Sequence, residues 1–204
     1  MRKHASPGTA CIGVKPATNA FHAVRFANEE GRGLDLFVTI NLSKLGVAAD
    51  DGCAFISKLR VKMNGAWKYQ RDMKGAPLGP FDGLGSHENP DGKRHVHWMV
   101  RVPVSARPWF EVTLTKFLRK MSGVEELGTA LEIKPIYAAG TLAKYILKGV
   151  SSDYAAYFHM SATDQGVVVG RRTFVSRSLS RTARKAAGWK RKRRPRSPRQ
   201  VASR

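Results

Sequence analysis

Two histidines one residue apart, His95 and His97, stand in the run "RHVHWMV" at 94–100, in a chain that has only six histidines. On a strand, alternate side chains leave the same face, so both imidazoles point one way and Val96, Trp98 and Val100 the other. Two imidazoles at that spacing can converge on one cation, although a pair of surface imidazoles on a sheet edge has the same pattern. Just upstream, "HENPDGK" at 87–93 carries strong turn chemistry in Asn89-Pro90-Asp91-Gly92. A hairpin with that even four-residue turn sets Glu88 across from Lys93, and Glu88, Lys93, His95 and His97 then share a face. An odd count would put Glu88 on the other side. One carboxylate and two neutral imidazoles form a three-ligand set suited to Mg²⁺ or Mn²⁺, with water and phosphate oxygens completing the shell. Two histidines make Mn²⁺ at least as plausible as Mg²⁺. The same set also serves hydrolytic zinc, but the helical H-e-x-x-H arrangement usual there is absent.

A second group lies about 50 residues on, in "AKYILKG" at 143–149. On a helix Tyr145 and Lys148 are i and i+3 neighbours, with Lys144 beside them. A phenol is a poor nucleophile at neutral pH unless a cation stabilises the phenolate, which a metal and a lysine could both do. Taken alone, Tyr-x-x-Lys also fits a structural tyrosine beside a solvated lysine.

Three stretches must position these groups. "LDLFVTINLS" at 34–43 alternates, with Leu36, Val38, Ile40 and Leu42 on a dry face and Phe37, Thr39, Asn41 and Ser43 on a mostly polar one. Asp50 or Asp51 can cap a helix whose Phe55, Leu59, Met63 and Trp67 recur every four residues. After Pro103, Ser105 offers a cap and Pro108 a first-turn proline for a helix with Phe110, Leu114, Phe117, Leu118 and Met121 as its buried stripe. "ALEIKPIY" at 130–137 reads as a strand, "AAGTLAKYILKGV" at 138–150 as a short helix, and 166–180 as a further strand. The order predicts an α+β fold: an antiparallel sheet with helices mainly on one face.

The flanks read differently. Residues 1–33 hold scattered Gly and Pro with little periodicity and predict an irregular N-terminal arm, with a short strand near Phe21–Phe26. The formal charge is +21, of which residues 1–164 supply +7 and the acid-free remainder, from Arg171 to Arg204, supplies +14. Such a balance points to a polyanion, with nucleic acid first, and predicts that 181–204 is a basic tail disordered until bound. Two cysteines, Cys11 and Cys53, are too few for a disulfide framework or a cysteine zinc site. With no run approaching 18 apolar residues and no apolar leader core, the expectation is a cytoplasmic protein with no membrane partner.

Together, "LFVTINLS" at 36–43, "HENPDGKRHVHWMV" at 87–100 and "LAKYILKGV" at 142–150 resemble, in order and spacing, the three motifs of the HUH endonuclease superfamily. That superfamily includes rolling-circle replication initiators, relaxases and transposases. The resemblance is to the single-tyrosine initiator type and covers 34–180; the arm and tail lie outside it. It implies a ferredoxin/RRM-like sheet of about five antiparallel strands with the histidine strand central. It further implies that Glu88, His95 and His97 hold the metal, that Tyr145 is the nucleophile and that Lys148 assists it. The activity expected is nicking and joining of single-stranded DNA at a replication origin through a 5′-phosphotyrosine. No G-x-x-x-x-G-K-[ST] is present, so unwinding and synthesis would need a host helicase and polymerase. Candidate DNA contacts are Thr39 and Asn41 on the polar face, and Arg94, Lys144, Arg171, Arg172 and Arg177. A non-catalytic basic nucleic-acid-binding protein with structural histidines is the competing expectation.

Overall fold

Leu36, Val38 and Ile40 are buried while Phe37, Thr39 and Asn41 between them are half-buried, which is the alternation of a strand lying between two unequal layers. This strand belongs to a computed structural model that describes residues 8–190. In chain order its elements are β1 (Gly8–Thr9), α1 (Val14–Glu29), β2 (Leu36–Asn41), α2 (Gly52–Met73), β3 (Gly83–Glu88), β4 (His95–Val100), α3 (Arg107–Ser122), β5 (Leu131–Pro135), α4 (Ala139–Ile146), α5 (Ser152–Ala155), β6 (Val168–Val169), β7 (Thr173–Val175) and α6 (Arg181–Ala186). The fold is α+β. A five-stranded sheet runs β5-β2-β4-β3-β7, and every pairing in it is antiparallel. The histidine strand β4 is therefore the central one, flanked by β2 and β3.

On one face, Leu36, Val38 and Ile40 of β2 and Val96, Trp98 and Val100 of β4 pack against α2 and α3. Helix α2 contributes Ile56, Leu59, Met63 and Trp67, with Phe55 only partly buried. Helix α3 contributes Phe110, Leu114 and Leu118. Each large apolar side chain buried here adds about 1.5–3 kcal/mol, so this layer carries much of the stability. Pro108 lies in the first turn of α3 as expected, but Ser105 does not cap it: a 3-10 turn at Val104–Ala106 intervenes.

The opposite face carries a second, smaller core in which Leu84 and Met99 meet α1 and α4. Helix α1 corrects the expected irregular arm and its strand near Phe21–Phe26. Gly13 and Gly31 bracket the helix, and Pro16 sits in its first turn, where a missing N–H costs no intrahelical bond. Its buried stripe is mostly alanine, Ala17, Ala20, Ala23 and Ala27, which is helix-forming but too weakly hydrophobic to stand out by periodicity.

The basic tail begins later than 181. Ser180 caps α6 by accepting from the Ala183 N–H, and the buried Arg184 donates from Nη2 to Asn19 Oδ1 at 2.7 Å. Trp189 donates from Nε1 to Glu29 Oε2 at 2.7 Å and sets its ring edge-on to Phe26. The partners of these residues lie on α1, so a chain segment with little apolar content of its own folds by docking on that helix. Residues 191–204, the rest of the expected tail, lie outside the described residues.

Candidate metal centre and tyrosine site

The β3–β4 ladder pairs Glu88 with His95, Ser86 with His97 and Leu84 with Met99. Glu88 therefore faces His95 directly, two positions from the Lys93 pairing expected from a four-residue turn. The connection is six residues, Asn89 to Arg94, and keeps the even parity that brings the carboxylate to the histidine face. Asp91 and Gly92 take left-handed backbone at φ 51° and 74°, and the Lys93 N–H donates to Pro90 O at 2.8 Å. Only short polar or glycine residues adopt that backbone readily, which is why the Asp-Gly pair closes this loop.

Glu88 Oε2 lies 3.0 Å from His95 Nε2, 3.5 Å from His97 Nε2 and 3.1 Å from Lys148 Nζ. One potential ligand atom from each of Glu88, His95 and His97 falls within 4.8 Å of the others. The second nitrogen of each ring is occupied: His95 Nδ1 meets Lys93 O at 2.9 Å and His97 Nδ1 meets Thr39 Oγ1 at 3.2 Å. Those outer contacts fix ring orientation and leave both Nε2 atoms facing the carboxylate.

Glu88 and His97 are 3% and 5% exposed, and Glu88 Oε1 and His97 Nε2 are buried without a hydrogen-bond partner. Orphaned acceptor positions on a buried carboxylate and a buried imidazole are the chemistry that a cation satisfies. Burial alone would raise the Glu88 carboxyl, but the two imidazoles and the Lys148 ammonium outweigh it and bring its pKa to about 2. Burial also works against a charged His95, yet Glu88 and the Lys93 carbonyl leave its pKa raised. For His97, burial prevails over Glu88 and holds the ring toward the neutral form a metal needs. The group can thus hold a metal ion.

Helix α4 brings the second group to the first. Ala143, Ile146 and Leu147 are buried, which turns Tyr145 to the open edge at 48% exposed. Its ring centroid is 5.5 Å from that of His97 and 6.4 Å, edge-on, from Phe37. The helix ends at Ile146, and Lys148 sits in the turn that follows, its N–H donating to Tyr145 O at 3.2 Å. Lys148 Nζ stands 4.1 Å from the Tyr145 ring centroid as well as beside Glu88. A buried hydrogen bond from Ser86 Oγ to Ile146 O pins this helix to β3.

The candidate DNA contacts separate into groups. Thr39 reaches His97, and Asn41, paired with His95 in the ladder, accepts the Lys44 N–H at Oδ1 and stabilises the turn after β2. Lys144 is exposed beside Tyr145, with Nζ donating to His159 O at 3.0 Å. Arg171 is exposed, but Arg172 is buried and donates from Nη2 to Thr9 O at 2.8 Å and to Gly166 O. Arg172 is an internal tie between the β1–β6 pair and the sheet edge rather than a group presented to a ligand. Arg94 is out of phase with the histidines and half-buried, with Nη1 enclosed, and Arg177 lies across the sheet from them. Two residues of the site escape sequence reasoning. Phe37 stacks on His97 at 5.1 Å between centroids, and its phase with Thr39 is the signal that could have found it. Ser86 lies two residues before Glu88, in the same phase.

Among the described residues no helix is long and apolar enough to cross a membrane. No protein-family model matches the chain, and no curated protein matches it.

Proposed function

We propose that the protein is an HUH-type endonuclease that nicks and rejoins single-stranded DNA to initiate rolling-circle replication of a plasmid or phage. The observation that carries this reading is the placement of Tyr145, on the last turn of α4, and Lys148, in the turn that follows, beside Glu88, His95 and His97 on the central strands. Glu88, His95 and His97 would hold Mg²⁺ or Mn²⁺. A divalent cation so held supplies Lewis-acid polarisation of the scissile phosphate.

The chain's own residues do the rest. Tyr145 Oη forms a bond to phosphorus as the P–O3′ bond breaks, the phenolic proton is lost to solvent, and the departing 3′ oxygen takes up a proton as a hydroxyl. The 5′-phosphate stays on the tyrosine. The Lys148 ammonium, between the phenol and Glu88, favours the phenolate and attracts the phosphate. Phe37 holds the His97 ring by stacking, and the Thr39 hydroxyl at Nδ1 fixes its orientation. One phosphoester replaces another, so a 3′-hydroxyl returning to the same position reverses the step. Its partners in replication would be a host helicase and polymerase, in the cytoplasm.

The +21 charge equally suits a basic nucleic-acid-binding protein without catalysis. Incubation of the full chain with a library of hairpin-flanked single-stranded oligonucleotides in Mn²⁺ or Mg²⁺ decides between them. Wild type is expected to give a covalent protein–DNA adduct and Tyr145→Phe none. No adduct from wild type, or as much from Tyr145→Phe, overturns the catalytic reading.

A further inference from the structure

His97 and Trp98 are successive residues of β4 and face opposite sides of the sheet. Behind the tyrosine site, Trp98 floors a groove of about 560 Å³ between α2 and the segment that follows β7. Phe81 continues the floor, with its ring 5.7 Å from Trp98 and 4.9 Å from Trp67. Arg60, Lys68, Arg71 and Arg177 line the walls, and no acidic residue does. Arg71 is bonded to Asp72, which lowers its value for a ligand. Arg60 and Arg177 have no ion-pair partner among the described residues, and Arg60 lies over the Phe174 ring at 4.2 Å.

The Trp98 indole adds a specific donor. Trp98 is largely buried, at 2% exposed, yet lines the groove, where its Nε1–H is an indole edge beside the Arg60 and Arg177 walls. Gly83 leaves that edge uncovered, since a Cβ there would come within 2.7 Å of Trp98 Nε1. An indole N–H that opens on the groove beside guanidinium groups without ion-pair partners suits a ligand carrying both a carbonyl and an anion. An aromatic floor, a cationic wall and one fixed N–H donor together match a nucleobase and its phosphate.

We propose that this groove binds one nucleotide unit of single-stranded nucleic acid, with the base on the Trp98 side and the phosphate at Arg60 and Arg177. The proposal rests on the preceding reading only for the class of polymer. A strand engaging both sites passes around the β7 edge, where β7 is the outermost strand. The groove would then retain the DNA on the side away from the chemistry and give part of the affinity its own, metal-independent site.

The test uses the full chain without divalent metal, so cleavage plays no part. The Trp98 indole ¹H–¹⁵N resonance, assigned with Trp98→Phe, is followed as an oligothymidylate of about ten nucleotides is added. The resonance is expected to shift saturably, and Arg60→Ala/Arg177→Ala to weaken the interaction at least about tenfold. Because Arg60 also rests on Phe174, Lys68→Glu/Arg177→Glu, with both side chains exposed, is expected to weaken it likewise with unchanged thermal unfolding. An unmoved resonance, or affinity within about twofold of wild type in Lys68→Glu/Arg177→Glu, overturns the proposal. Free thymidine monophosphate binding as tightly as the oligomer, or a duplex competing equally, overturns the assignment to a strand. A shift here with no adduct in the nicking assay leaves this groove standing and removes the endonuclease.

Discussion

Glu88 and His95 are direct partners across the β3–β4 ladder, and Oε2 of one lies 3.0 Å from Nε2 of the other. The carboxylate is the shared neighbour of both imidazoles and of Lys148, so three groups, two on β4 and one in the turn after α4, depend on its charge. Lys148 sets its ammonium beside the carboxylate, and Glu88 favours the protonated form of His95. A metal held by the group would compete with a proton on His95, so binding is expected to strengthen as pH rises through that residue's raised pKa.

Glu88→Gln removes the charge and keeps the shape. It is expected to lower Mn²⁺ affinity by more than about 100-fold in calorimetric titration, whereas Thr39→Val, which only frees the His97 ring, costs about tenfold. Equal, small effects of both would show that the ion is held elsewhere.

His87 alternates with Glu88 and enters the opposite face, where it is buried edge-on to Phe174. Burial, reinforced by the charges of Arg60 and Arg172, lowers its pKa from 6.5 to about 4. A folded-state value below the unfolded one means that protons favour the unfolded chain. The stability from a neutral His87 is complete above about pH 6.5 and falls by about 3 kcal/mol by pH 4. Denaturant unfolding of wild type and His87→Leu at each pH isolates this contribution, because His95, whose pKa moves the other way, is common to both. The difference between the two proteins should change across pH 6.5 to 4; a constant difference would place His87 in contact with solvent. Glu88 acts in a lower window, since its depressed pKa contributes stability that is lost only as pH falls from about 4.5 toward 2.

Arg172→Met leaves the Thr9 and Gly166 carbonyls without their donor. The expected loss is about 1–3 kcal/mol of unfolding free energy. Lys144→Ala, on an exposed side chain, should cost less than about 0.5 kcal/mol. Unchanged stability with weakened DNA binding in Arg172→Met would return this residue to the DNA contacts.

The parts of the site carried by strict periodicities were legible from sequence. A period of two put His95 and His97 on one face, loop parity added Glu88, and a spacing of three joined Tyr145 to Lys148. The exact pairing across the hairpin was not, because Arg94 and Lys93 remain in the loop and a six-residue connection has the same parity as a four-residue one. Helix α1 was hidden for another reason: alanine packs a helix closely against the face of a sheet without a strong hydrophobic signal. Arg172 and Arg184 look like Arg171 and Arg177 in sequence, yet each is held in part by a partner more than 150 residues away, the Thr9 carbonyl for one and the Asn19 amide for the other.

Depth distinguishes the two halves of the tyrosine site. Glu88 and His97 lie almost wholly beneath the surface, while Tyr145 stands at the opening, 48% exposed. A polymer seated on Tyr145 therefore covers the way in to the carboxylate and the imidazoles. On the proposed reading, that arrangement would impose an order of loading, with the ion entering before the strand and departing after it.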